Sequence, residues 1–147
     1  MQLRTSNQLD KLMNKALSDS TRYKRRARLG AILWTLLIFF LCFIPAGDVP
    51  EVKLPLIDKW VHFILFGVFA FLWLLSTRNF RLIHLIIVLV CAIALGWLVE
   101  VLQGQLTFLG RSRDNMDALA DSVGGLLGVI IFYLFHTLTT KRNKQTI

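Results

Sequence analysis

Long apolar stretches separated by short polar ones make up most of the chain. Four stretches approach the roughly 20 residues that a helix needs to cross the hydrocarbon core of a bilayer. None of the four contains Asp, Glu, Lys or Arg, and they cover Leu29–Gly47, Trp60–Thr77, Leu82–Val99 and Ser122–Thr140. The pattern predicts an all-α, polytopic membrane protein built as a bundle of four transmembrane helices.

Apolar residues also recur at helical spacing ahead of the first stretch, with polar residues between them. These apolar residues are Leu9, Leu12, Met13, Ala16 and Leu17. The spacing predicts an N-terminal amphipathic helix that lies on the inner leaflet, with Ser6 or Asn7 as its N-cap. The alternative is a partly disordered, positively charged tail that only fixes the topology.

Three segments follow from these features. Residues 1–28 form a basic tail with the amphipathic helix, residues 29–140 form the four-helix transmembrane domain, and residues 141–147 form a second basic tail. The first apolar stretch has the full length of a span, and Ile44-Pro45-Ala46 is a poor cleavage site. We therefore expect a retained helix and not a signal peptide.

The composition supports a membrane protein and excludes one class of partner. Hydrophobic residues make up 55% of the chain, against about 45–50% in a typical soluble domain. The net charge of +8 comes from Lys and Arg beside the apolar stretches, without the interleaved exposed aromatic residues of a nucleic-acid platform. No nucleic-acid partner is expected.

Cys42 and Cys91 lie at different depths, so a disulfide between them is not expected.

The basic residues are distributed unequally between the two sides of the predicted membrane domain. Thirteen Lys and Arg residues lie in the two tails and the second loop, whereas the opposite side has four, Lys53, Lys59, Arg111 and Arg113. Since cytoplasmic loops carry the excess of Lys and Arg, both termini are predicted to be cytoplasmic.

With this orientation, the polar residues at the ends of the spans gather on the non-cytoplasmic side. Those before the second span, after the third and before the fourth are Asp58, Lys59, His62, Glu100, Gln103, Arg111, Ser112, Asp114, Asp117 and Asp121. Polar and ionisable residues at the membrane are costly and commonly functional. We predict that this set forms one outward-facing binding site.

The fourth span carries the most regular pattern. Asp114, Asp117, Asp121, Gly124 and Gly128 follow one another in steps of three and four residues, which places them on one helix face. Glycines spaced as Gly124 and Gly128 allow another backbone to approach closely. The acidic stripe is therefore predicted to face protein and not lipid.

The charges of the cluster do not balance. Five acids, Asp58 and Glu100 together with the three aspartates of the stripe, face three bases, Lys59, Arg111 and Arg113. The surplus can be met by protonation, by a protonated His62, by water or by a cation. A purely structural salt-bridge cluster, a binding site and a catalytic site all remain open at this point.

The residue types of the cluster bear on two kinds of chemistry, metal binding and nucleophilic catalysis. His62 with Glu100, Asp117 or Asp121 offers oxygen and imidazole ligands that suit several divalent ions. No compact ligand motif is present, so no cofactor is predicted and a divalent cation is left open. Ser112 lacks the strand-turn-helix frame of a hydrolase nucleophile. His84 and His136 lie alone on apolar stretches and are assigned no role.

The spaced polar residues resemble those of the VanZ-like family of small integral membrane proteins. The matching residues are Asp58, Lys59, His62, Phe63, Glu100, Gln103, Arg111, Ser112, Asp114, Asp117, Gly124 and Gly128. The resemblance runs from about residue 58 to residue 135. It departs at Asp121, where the family pattern more usually has Asn, and in the loop before Arg111, which lacks the Pro-Gly that often precedes the arginine.

The resemblance implies a role in the bacterial cell envelope, in the plasma (inner) membrane, because the family is named after an accessory factor in resistance to the lipophilic glycopeptide teicoplanin. It does not supply a reaction. The leading hypothesis is a non-catalytic protein that binds a lipid headgroup, a glycolipid, a lipid-linked envelope precursor or a glycopeptide antibiotic. One alternative is an enzyme with Glu100 or Asp117 as general base and His62 as acid or ligand. The other is an assembly subunit that uses Gly124 and Gly128 between chains in an oligomer.

Overall fold

A computed structural model of the chain describes residues 2–48, 56–77 and 79–145. Within these residues there are four α-helices and two short 3-10 helices, and no strand. The α-helices are α1 (Gln2–Cys42), α2 (Ile57–Leu75), α3 (Ile83–Gln105) and α4 (Asn115–Gln145), and the 3-10 helices cover Ala46–Asp48 and Thr107–Leu109. The prediction of an all-α protein is confirmed.

Three of the helices are long and apolar enough to cross a membrane. They are α2, α3 and the part of α4 from Asn115 to Lys141. The apolar part of α1 begins at Leu29 and ends at Cys42, which is shorter than the roughly 20 residues of a full span. The structure thus supports three of the four predicted spans, and the chain is a helical membrane protein.

The first helix is continuous from Gln2 to Cys42. It joins the predicted amphipathic segment to the predicted first span without a break. The side chains of residues 2–19 lie outside the described part of the chain, so the amphipathic surface stays a prediction. Helix α1 ends before Pro45, because proline lacks an N–H and disfavours a helical conformation at the residue that precedes it.

The polar ends of the spans are more helical than the hydropathy pattern predicts. Helix α3 extends beyond Val99 to Gln105, and α4 begins at Asn115, seven residues before the predicted Ser122. The predicted boundaries excluded charged residues, but a charged side chain is tolerated in a membrane helix where it faces protein. Helix α4 also continues through the predicted boundary between residues 140 and 141 to Gln145.

Helices α2 and α4 form the most extensive helix pair; α3 packs on both of them, and α1 packs on α2 and also contacts α3. The core includes Ile38 of α1, Phe66 of α2 and Val99 of α3, all with no exposed surface. The Trp34 indole N–H donates to the Leu65 carbonyl at 2.8 Å, which fixes α1 on α2. Large apolar side chains cover much of the remaining helix surface, as expected for helices that contact lipid.

Candidate functional site

The Lys59 side chain binds three carboxylates near the N-termini of α2 and α4. The Nζ atom of Lys59 donates to Asp114 Oδ2 at 2.8 Å, to Asp58 Oδ2 at 2.9 Å and to Asp117 Oδ1 at 3.0 Å. The Lys59 side chain is 22% exposed, whereas that of Asp58 is 58% exposed. We call Asp58, Lys59, Asp114 and Asp117 the outer layer. This layer is partly exposed and carries three acids for one base.

Asp114 connects the outer layer to two helices. Its Oδ1 accepts from the Met116 N–H at 2.8 Å, which caps the N-terminus of α4. Its own N–H donates to Glu100 Oε2 of α3 at 2.8 Å. The hydrogen bond from Lys59, followed by that from Met116, holds the pKa of Asp114 below its ordinary value of 3.8. Asp114 is therefore an ionised carboxylate at neutral pH.

A second, buried group lies about one helical turn deeper, since His62 and Asp121 follow Lys59 and Asp117 by three and four residues. His62 Nδ1 lies 3.0 Å from Asp121 Oδ1, and the two side chains are 8% and 0% exposed. Glu100 is also completely buried. We call His62, Glu100 and Asp121 the inner layer.

Two oxygens of the inner layer lack a hydrogen-bond partner among the described residues. They are Oε1 of Glu100 and Oδ2 of Asp121. A buried polar atom without a partner is costly, and the great majority of such atoms are paired in folded proteins. These oxygens therefore mark a place where a further partner is expected.

Small residues of α3 and α4 make room for the inner layer. A Cβ atom on Gly96 would lie 2.7 Å from the Asp121 Cβ, so any side chain there would displace the carboxylate. A Cβ atom on Gly125 would lie 2.9 Å from the Ala92 Cβ of α3. The sequence prediction omitted Gly96, although its position one turn before Glu100 is a usable signal.

Two predicted binding residues contact the end of α1. Gln103 Nε2 donates to the Cys42 carbonyl at 2.8 Å, and Arg111 Nε donates to the Ile44 carbonyl at 2.8 Å. The last carbonyl groups of a helix have no partner within the helix, and these side chains satisfy two carbonyls at and just after the end of α1. Gln103 and Arg111 therefore join α1 to the polar end of the bundle.

The remaining loop residues lie at the surface. The Arg113 guanidinium stacks 5.7 Å from the centre of the Trp97 ring. Ser112 is exposed, and within the described part of the chain no hydrogen bond joins it to His62. The arrangement gives no support to Ser112 as a nucleophile.

Gly124 and Gly128 face α2 of the same chain. A Cβ atom on Gly124 would overlap with the Phe63 carbonyl oxygen, and one on Gly128 would overlap with the Gly67 carbonyl oxygen. Both glycines are buried, so they serve the close packing of α4 on α2 within the chain.

The two histidines without a predicted role lie at the opposite end of the bundle. His136 stacks on Phe132 with ring centres 5.8 Å apart and lies 4.5 Å from the Phe80 ring. His84 Nδ1 lies 2.9 Å from both the Arg81 nitrogen and the Arg81 carbonyl oxygen. Both imidazoles thus have local partners, and neither lies near the two layers.

The fold and the two layers define a helical membrane protein with a polar site at one end of its spans. A family model described as VanZ/LLP1 matches residues 6–136, and the chain belongs to this family. No curated protein and no solved structure matches the chain.

Proposed function

We propose that this chain is a multi-pass protein of the bacterial plasma membrane that binds the polar head of an amphiphilic ligand at its outward-facing layers. In this proposal both termini are cytoplasmic, and the apolar part of α1, from Leu29 to Cys42, is a fourth, short span. The ligand is a lipid headgroup, a glycolipid, a lipid-linked envelope precursor or a lipophilic glycopeptide antibiotic.

The observation that carries the proposal is that the outer layer lies above an apolar groove. The groove, about 350 Å³ in volume, runs between α2 and α4. It is lined by Phe63, Ile64, Gly67, Val68, Phe71, Leu127, Gly128 and Ile131. The first of these, Phe63, lies one turn deeper than Lys59. A molecule with a polar head and an acyl chain finds a partner for each part.

The charge of the outer layer favours one kind of head. Three carboxylates share one ammonium group, so acceptor oxygens outnumber donors. Sugar hydroxyls and amino groups donate hydrogen bonds to carboxylates, and bonds to an ionised acceptor are about twice as strong as neutral ones. This supports a glycolipid or a glycopeptide over a headgroup with only acceptors.

The test measures teicoplanin susceptibility of a bacterium that expresses the chain. We expect the wild-type chain to raise the inhibitory concentration, and Asp117→Asn and Lys59→Met to abolish the rise. Asn79→Ala, an exposed change at the other end of the bundle, is the control and should keep it. Accumulation of each variant in the membrane is measured in parallel. If both site variants accumulate normally and keep the full phenotype, the outer layer is not the binding site.

A second candidate is an enzyme that modifies a membrane lipid or cell-wall precursor. The contact between His62 Nδ1 and Asp121 Oδ1 favours it, because a carboxylate on one imidazole nitrogen orients the ring for acid-base work at the other. Glu100 or Asp117 would act as general base. Mass spectrometry of lipid extracts tests it: a modified lipid should appear with the wild-type chain and be lost with His62→Gln.

A further inference from the structure

We infer that the inner layer is a binding site for one divalent first-row transition-metal ion, held by His62, Glu100 and Asp121. The inference concerns the buried layer and goes beyond the proposed binding of a headgroup. It holds whichever ligand the outer layer takes.

The positions of the ligand atoms carry the first step. His62, Glu100 and Asp121 each offer one ligand atom, and these three atoms lie within 4.8 Å of one another. Nitrogen and oxygen ligands bind Zn²⁺ at about 2.0–2.2 Å, so two ligands of one ion lie roughly 3–4 Å apart. Side-chain movements of about 1 Å would bring the three atoms to a common ion.

The unpartnered oxygens supply a second, independent observation. Glu100 and Asp121 have no exposed surface, yet Glu100 Oε1 and Asp121 Oδ2 have no hydrogen-bond partner among the described residues. Each carboxylate already uses its other oxygen, for the Asp114 N–H and the His62 ring respectively. One further acceptor atom thus remains on each of the two residues that would bind the ion.

The fixed positive charges nearby are engaged elsewhere. Lys59 is bound by the three acids of the outer layer, Arg111 Nε donates to a backbone carbonyl, and Arg113 stacks on Trp97. Two carboxylates buried side by side repel each other and are costly at a membrane helix. A divalent cation neutralises both at once, whereas one proton neutralises only one.

The ligand set selects the class of ion. Imidazole suits Zn²⁺ and other first-row transition ions, whereas Ca²⁺ and Mg²⁺ prefer oxygen ligands alone. Three protein ligands leave a position for water or for a ligand atom, as in catalytic zinc sites. The second group of acids, Asp58, Asp114 and Asp117, surrounds the Lys59 ammonium at 2.8–3.0 Å, so an ion there would have to displace it.

The experiment titrates Zn²⁺ into the full chain, purified in detergent and stripped of metal with a chelator, in competition with a chromophoric indicator. We expect one ion per chain for the wild type. Asp121→Asn and Glu100→Gln should weaken binding at least about tenfold, since loss of a ligand costs no less than loss of its supporting hydrogen bonds. Asp58→Asn, which removes an outer-layer carboxylate, is the matched control and should bind as the wild type does.

Two outcomes would overturn the inference. If the wild-type chain binds no stoichiometric Zn²⁺, the inner layer holds a proton or water and not a metal ion. Weaker binding in Asp58→Asn with unchanged binding in Asp121→Asn would place the ion in the outer layer. A visible absorption spectrum of wild-type chain with Co²⁺ needs no variant, and absence of bands from a coordinated ion would also count against the site. Teicoplanin susceptibility plays no part in these readouts, so this inference and the proposed function fail separately.

Discussion

Gly128 of α4 lies directly against the Gly67 carbonyl of α2, so no side chain separates the two helices at this point. One turn earlier, Gly124 lies against the Phe63 carbonyl in the same way. This close crossing sets the distance between the two helices that carry Lys59 and Asp117. The packing of the glycines therefore determines whether the outer layer can form.

We expect Gly124→Ala and Gly128→Ala each to lower the free energy of unfolding by about 1–3 kcal/mol, because an added methyl forces the packed backbones apart. Unfolding in detergent, followed by circular dichroism, measures this change. The matched control is Gly30→Ala in α1, where an added Cβ meets no atom within 4 Å. This control should be neutral or more stable by up to about 1 kcal/mol. Equal behaviour of all three variants would refute the close crossing.

Lys59→Met tests the charge arrangement of the outer layer. Without the ammonium group, three carboxylates face one another with no shared partner. Loss of one partner of a buried pair costs about 3–5 kcal/mol, and partial exposure of Lys59 reduces the expected loss of unfolding free energy to about 1–3 kcal/mol. Asp58→Asn should cost only about 0–1 kcal/mol, because Asp58 is largely exposed. A larger effect for Asp58→Asn than for Lys59→Met would contradict the arrangement.

The lowered pKa of Asp114 predicts a dependence of stability on pH. Its pKa in the folded chain lies below the ordinary value of 3.8, so the folded state favours the ionised form. The resulting stabilisation is fully present above the ordinary pKa and is lost as the pH falls through the lower, folded value. Asp114→Asn should flatten the acid side of a plot of unfolding temperature against pH. An unchanged acid side would show that Asp114 contributes nothing to it.

The proposed orientation predicts which loops a membrane-impermeant thiol reagent reaches. In a chain with Cys42 and Cys91 replaced by Ala, a cysteine at Ser112 should be labelled in intact spheroplasts. A cysteine at Asn79, on the opposite side of the bundle, should be labelled only after permeabilisation. Both positions are exposed, so burial does not confuse the comparison. The reverse pattern would invert the proposed topology.

Helix periodicity was enough to predict which polar residues share a face. Asp117, Asp121, Gly124 and Gly128 lie on one stripe of α4 by spacing alone, and the structure places this stripe against α2. The separation into two layers was not predictable, because it depends on the relative depth of α2, α3 and α4. Spacing within one helix carries no information about the offset between helices.

The contacts of Gln103 and Arg111 with backbone carbonyls also could not be predicted from the sequence. Both were predicted as ligand-binding residues because of their type and their side of the membrane. Their partners are backbone carbonyls at Cys42 and Ile44, which are left unpaired because α1 ends before Pro45. Every residue has such a carbonyl, and only the tertiary structure shows which ones need an external donor.

The continuity of α1 has a mechanical consequence. Its 41 residues form a rod of about 60 Å, roughly twice the thickness of the hydrocarbon core. The basic residues of α1 precede its apolar part. At the other end of the helix, Gln103 donates to the Cys42 carbonyl and Arg111 donates to the Ile44 carbonyl just after it. A change in the tilt of α1 therefore moves the two carbonyls to which Gln103 and Arg111 donate. The position of α1 and the polar end of the bundle are thus linked through two hydrogen bonds.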